Sequence, residues 1–275
     1  MQRPGVALQL AAFILITFAV SAVQEYRITA DGGMHALADL LLLMCIPGTV
    51  GVVLSLAFGC RLKDIGFRRA NGRDYLLAYA IPAMTAILIL AILLTTRLGS
   101  FELSPTLISE SGGVGKALTV AIVAAPTAGA ALNFVPGLAE EIGWRGFLHA
   151  RLIVARVPHP FVVTGLIWSV WHWPLILFSD YASSRVPALS LGLFTVTLTS
   201  MSVFVGWLRQ RSGSVFVAAL AHGTHNLWIL YIYPAFLRKG PLDAFMGGEA
   251  GLLNATIYLI VAGFIYVKWL RHGTP

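Results

Sequence analysis

Charge is scarce in this chain: Asp, Glu, Lys and Arg together make up 11% of its 275 residues. Ordinary soluble domains carry about 25%, so the shortage excludes a water-soluble globule and a disordered polyelectrolyte alike. Cysteine is scarce too. The two present, Cys45 inside an apolar run and Cys60 at its end, form neither a disulfide framework nor a metal-ligand pattern. No repeat of roughly 20–50 residues recurs, which excludes solenoids and propellers. What is abundant is apolar: 57% of the residues are hydrophobic, and the mean hydropathy is +0.80. A single membrane domain over 1–275 is the class left.

A spanning helix takes about 20 apolar residues. Runs at 5–24, 36–59, 75–96, 117–139, 160–178, 187–208, 214–235 and 251–270 predict an all-α polytopic membrane protein of about eight transmembrane helices. The first run contains Val20-Ser21-Ala22, which has the form of a signal-peptidase site. The first helix of a multispan chain also serves as an uncleaved anchor, and a retained span is expected.

The charges between the runs test this count. Residues 25–34 hold Glu25, Arg27 and Asp31, net −1, whereas 60–74 hold five basic residues against Asp64 and Asp74, net +3. Arg145, Arg151 and Arg156 follow the fourth run, Arg209 and Arg211 the sixth, and Lys268 with Arg271 close the chain. The connectors at 97–116, 179–186 and 236–250 balance to zero. Basic and neutral-to-acidic connectors therefore alternate, and the positive-inside rule places both termini in the cytoplasm, with the chain in the cell membrane. The formal charge of +7 is spread over connectors rather than gathered in one stripe, which argues against nucleic acid as a partner and leaves membrane lipid. The basic stretch Arg61 to Arg69 reads as topology control, with an amphipathic surface piece as its alternative.

Polar chemistry enters the apolar runs at three places, all inside a core at 117–235. Glu140 and Glu141 follow the run ending at Ala139, and Ile142-Gly143-Trp144 continues it. Glu141 and Arg145 stand four apart, so a helix puts them on one face as an ion pair. Glu140 lies about 100° around the same helix and points elsewhere. One carboxylate is then held ionised by Arg145 while the other faces a cavity as a base; the plainer alternative is a salt bridge at the helix end. His172 stands between Trp171 and Trp173, just before Pro174, whose missing N–H loosens the helix and widens a cavity. His222, His225 and Asn226 occur at i, i+3 and i+4, which predicts one polar face inside the seventh run.

A carboxylate that activates water, together with donors for a developing oxyanion, suits hydrolysis by general-base catalysis. Glu140 fits the base, His172 a group that orients water or binds metal, and His222 with Asn226 the donors. Zinc held by Glu140, His172 and His222 is the rival expectation. No His-Glu-x-x-His is present, so the sequence demands no cofactor.

Glu140-Glu141-Ile-Gly-Trp-Arg145, Trp168-Ser-Val-Trp-His172 and His222-Gly-Thr-His225-Asn226, in this order, resemble the CPBP family. That family comprises the CAAX proteases and bacteriocin-processing enzymes, also called Abi. Its pattern has phenylalanine where Trp168 stands, and His225 falls outside it. The resemblance implies an intramembrane endopeptidase acting on a peptide or lipoprotein substrate. It also implies Glu140 as the base, helped by His172, with oxyanion donors at His222 and Asn226. Members are commonly described as metalloproteases, although a glutamate-activated water needs no metal. Two other readings compete with a protease. A transporter using Glu140 and the histidines as a proton relay predicts paired interrupted helices in the two halves, which the sequence lacks. A non-catalytic immunity or scaffold protein would not need all three motifs intact.

Overall fold

A computed structural model describes residues 5–30, 37–179, 181, 186–238 and 243–272. Arg3, Asp31, Asp180, Arg185 and Lys239, and the side chains of Asp243 and Arg271, lie outside the described residues. With no water in a bilayer core, backbone polar groups must bond internally, which favours continuous helices for apolar runs. The structure has α1 (Val6–Ala30), α2 (Leu37–Ala57), α3 (Gly72–Thr95), α4 (Val114–Val154) and α5 (Pro160–Phe178). These are followed by α6 (Pro187–Ser212), α7 (Val215–Phe236) and α8 (Leu252–His272). The first seven are long and apolar enough to span; in α8 the apolar stretch is the shorter Leu252–Lys268. All eight expected runs are helices.

Two boundaries differ from the expectation. The first helix runs on to Ala30, so Glu25 is a buried helical residue rather than a connector charge. The fourth does not stop at Ala139. It continues to Val154 through wide π-type turns at Val120–Gly129 and Ile142–Leu148, 41 residues in all. At 1.5 Å per residue that is about 60 Å, twice a hydrocarbon core. The helix passes the Glu-Glu pair because those charges are met from inside the bundle, as described below.

Interior packing sets the depth of that pair. Glycines let α2 and α4 touch backbone to backbone: a Cβ on Gly48 would collide with the Ala139 carbonyl, and one on Gly143 with Pro47. Glu140 is therefore level with the middle of α2. On the inner side of α4, Phe13 of α1 stacks on Phe147 with ring centroids 5.2 Å apart and meets Trp144 edge-on. Next, α7 packs against α3 and α4, and α6 lies between α5 and α8. The outer faces stay apolar and exposed, with Leu15, Leu76, Leu132 and Phe264 among them, as a lipid solvent requires.

Connector contacts show which loops share a side. Asp74 pairs with Arg211 at 2.7 Å, Arg68 donates to the Gly213 carbonyl at 3.0 Å, and Arg209 donates to the Ile65 carbonyl at 2.9 Å. The α2–α3 and α6–α7 connectors, both basic, thus meet on one side. The stretch expected as topology control or a surface piece is a short 3₁₀ turn, Leu62–Ile65, with Ile65 buried. On the other side Ser100 and Phe101 form a two-residue antiparallel ladder with Leu237 and Arg238, and Glu102 pairs with Arg238 at 2.7 Å. That bond holds the exposed Glu102 carboxyl below its ordinary pKa. Tyr181 reaches Glu249 from the α5–α6 connector, also on this side.

Candidate active site

The helical spacing at Glu140 decides the first contacts. Trp144 stands four residues on, and its indole N–H donates to Glu140 Oε2 at 3.1 Å. Trp168 on α5 donates to the same oxygen at 2.9 Å. Two indole donors thus fix a carboxyl that is only 2% exposed and lines a cavity of about 100 Å³. That is room for several water molecules. His172, His222, Asn226 and Asn133 line the same cavity, together with Tyr181, Tyr231 and Glu249.

Glu141 turns the other way, as the 100° step requires. Its Oε1 takes Arg145 at 2.7 Å and His222 Nδ1 at 3.0 Å, with all three side chains buried. The Arg145 guanidinium also lies over the Trp168 ring, 4.4 Å from its centroid, so an indole face meets the part of the cation left without hydrogen bonds. Glu141 and Arg145 do not line the cavity. They form a closed pair behind it, and Glu141 holds the imidazole that does.

Hydrogen bonding also fixes a proton on Nδ1 of two rings. His172 Nδ1 lies 2.9 Å from the Trp168 carbonyl. A carbonyl only accepts, so Nδ1 carries the proton and the neutral ring keeps its lone pair on Nε2. His222 likewise donates Nδ1–H to a carboxylate. The ring of His172 is stacked by Tyr181, with centroids 6.0 Å apart and planes within 19°.

The expected single face of three polar residues on α7 is split. His222 and Asn226 line the cavity, while His225 turns to α8 and meets the Tyr258 hydroxyl at 2.9 Å. The reason is angular, since residues 225 and 226 point about 100° apart on a helix. Pro174 opens no space beside Glu140; it lines a second groove, against α1. Trp171 and Trp173 are tied inside the bundle, donating to Ser21 and Thr195.

Among the described residues no three His, Cys, Asp or Glu side chains are grouped to hold a metal ion. Glu140 Oε2 is occupied by two indole donors and His222 Nδ1 by Glu141. Glu140, His172 and His222 belong to no such group, and no step below uses a metal.

Sequence reasoning missed Tyr181 and Glu249. The Tyr181 hydroxyl donates to Glu249 Oε2 at 2.7 Å, and Glu249 Oε1 lies 3.8 Å from His225 Nε2. Burial pushes the Glu249 carboxyl up to about 7, against the partly opposing bond from Tyr181. Both residues sit in connectors far apart in sequence, where no periodicity marks them. Trp144 was legible, four residues after Glu140 on one helix.

Fold and site together define a polytopic α-helical membrane protein with an acid–histidine–amide centre buried between its spans. Residues 122–228 match the family described as type II CAAX prenyl endopeptidase, Rce1-like. The chain is also 30% identical over 97 residues to the CAAX prenyl protease 2 of Methanococcus maripaludis, covering 32% of this chain and 34% of that protein. It thus matches about a third of the length of that curated relative. Both matches fall on the segment that contains all three motifs, and over it the chain is similar to the CAAX prenyl endopeptidases.

Proposed function

We propose that the protein is an intramembrane endopeptidase in which Glu140 activates a water molecule directly. The observation that carries this reading is the Glu140 carboxyl, oriented by two indole donors at the wall of a polar cavity that His172, His222 and Asn226 also line.

Glu140 takes a proton from water, whose oxygen adds to the scissile carbonyl carbon. The Nε2 lone pair of His172 orients that water. The carbonyl oxygen becomes an oxyanion, held by the Asn226 amide and by Nε2–H of His222 as imidazolium, a charge shared with Glu141. Glu140 then passes its proton to the leaving nitrogen, and the C–N bond breaks. A carboxylic acid and an amine result, and the acid's proton passes to the amine. Glu141 and Arg145 act as positioning residues.

The substrate is a membrane-associated peptide or lipoprotein, in keeping with a centre level with the middle of α2. Both termini lie in the cytoplasm, on the side of the basic connectors.

Purified wild type and Glu140→Gln are compared on a quenched peptide library in detergent, with folding checked by thermal midpoint. Removing a general base costs at least about 10²–10⁴ in rate, so the variant is expected to be folded and inactive. Wild-type turnover in Glu140→Gln would overturn the assignment.

A further inference from the structure

Away from the active site, a groove of about 560 Å³ runs between the end of α1 and the end of α5. Its lining is Ala22, Glu25, Tyr26, Thr29, Pro174 and Phe178, with Ala30. Glu25 is 4% exposed, and its Oε1 has no hydrogen-bond partner among the described residues. No Lys, Arg or His among the described residues pairs with it. The nearest polar neighbours in sequence are committed elsewhere: Gln24 donates to Asp39, and the Arg27 guanidinium contacts Gln24. By contrast, two aromatic side chains of the groove face outward, Tyr26 at 74% and Phe178 at 71% exposure.

The position narrows the ligand class. Glu25 lies five residues, about 8 Å along the axis, from the end of α1 at Ala30. That end shares a side with the α5–α6 connector, opposite the basic connectors. A lone carboxylate withdrawn from water is costly unless a cation meets it. Its side walls are aromatic, and ring faces attract ammonium groups. A single carboxylate with apolar surroundings is no metal site.

We propose that this groove binds the primary ammonium headgroup of a phospholipid, phosphatidylethanolamine in chemistry, in the leaflet opposite the basic connectors. The ammonium donates N–H groups to the Glu25 carboxylate, Tyr26 and Phe178 flank it, and the acyl chains lie along the exposed faces of α1 and α5. A trimethylammonium headgroup has no N–H to give, so phosphatidylcholine satisfies the rings but not the carboxylate.

The test uses the full-length protein in nanodiscs of phosphatidylcholine alone or mixed with phosphatidylethanolamine, read by thermal midpoint and by native mass spectrometry of retained lipid. Wild type is expected to gain stability and retain ethanolamine lipid in the mixture. Glu25→Gln is expected to lose both effects, and Tyr26→Leu to weaken both. Because Tyr26 is exposed, its variant still decides the matter should Glu25→Gln fail to fold. Equal midpoints in the two lipids, or an ethanolamine effect that survives in the folded variants, would overturn the proposal. Free ethanolamine phosphate added to the phosphatidylcholine discs separates the sources. A matching shift there would assign the groove to a soluble amine and overturn the lipid reading.

Discussion

Trp168 and Glu140, 28 residues apart on different spans, are joined by an indole N–H donated to Oε2 at 2.9 Å. The family pattern has phenylalanine at this place, which offers a ring and no donor. In this chain the indole holds the proposed base from one side while its face carries the Arg145 guanidinium.

Trp144 supplies the second bond to the same oxygen, so the two indoles back each other up. Trp168→Phe is expected to lower kcat by about tenfold with little change in KM. That factor is the size of one hydrogen bond to a charged group. Trp144→Phe should behave similarly, and the double variant should lose more than the sum of the two. Steady-state kinetics on the four proteins closes the cycle. Strict additivity would show that the indoles do not share the positioning of Glu140.

The two histidines of α7 are predicted to separate by role. His222 lines the cavity and is bonded to Glu141; His225 meets Tyr258 away from it. His222→Gln is expected to reduce kcat/KM by about 10²-fold or more, as the loss of an oxyanion donor does. His225→Gln should keep activity within a few-fold and lower the thermal midpoint. The reverse pattern would exchange the assignments.

Close approach of α2 and α4 makes Gly143 a stringent position, because a methyl there meets Pro47. Gly143→Ala is expected to cost about 1–3 kcal/mol through overpacking. It should also lower kcat by shifting Glu140 and Trp144 on the same helix. Thermal unfolding in detergent measures the first effect and peptide turnover the second. An alanine variant as stable as wild type would show that the helices separate freely here.

Glu249 gives a pH dependence whose sign follows from its environment. Burial raises its pKa from 4.5 to about 7. The folded protein therefore binds more protons than the unfolded chain between those values, and stability falls as pH rises through that interval. Glu249→Gln keeps an acceptor for Tyr181 without the titration. Measured from pH about 5 to about 8, wild type should lose thermal stability relative to this variant. Parallel curves would place the carboxyl in water.

Sequence alone determined the class and most of the ingredients. Sparse charge and eight apolar runs require helices in lipid, because an unpaired backbone has no partner there. Strict helical spacing sufficed for the Glu141–Arg145 pair and for the different direction of Glu140. What tertiary structure decided lies between elements. Three facts of this kind needed the packed bundle: α4 runs past its expected end at Ala139, Trp168 serves Glu140, and His222 serves Glu141 while His225 does not. Tyr181 meeting Glu249 across two connectors is another, and so is the burial of Glu25 with its Oε1 unpaired among the described residues. The physical reason is the same throughout: periodicity fixes direction around one helix, whereas contact between helices depends on how closely glycines and rings let them approach.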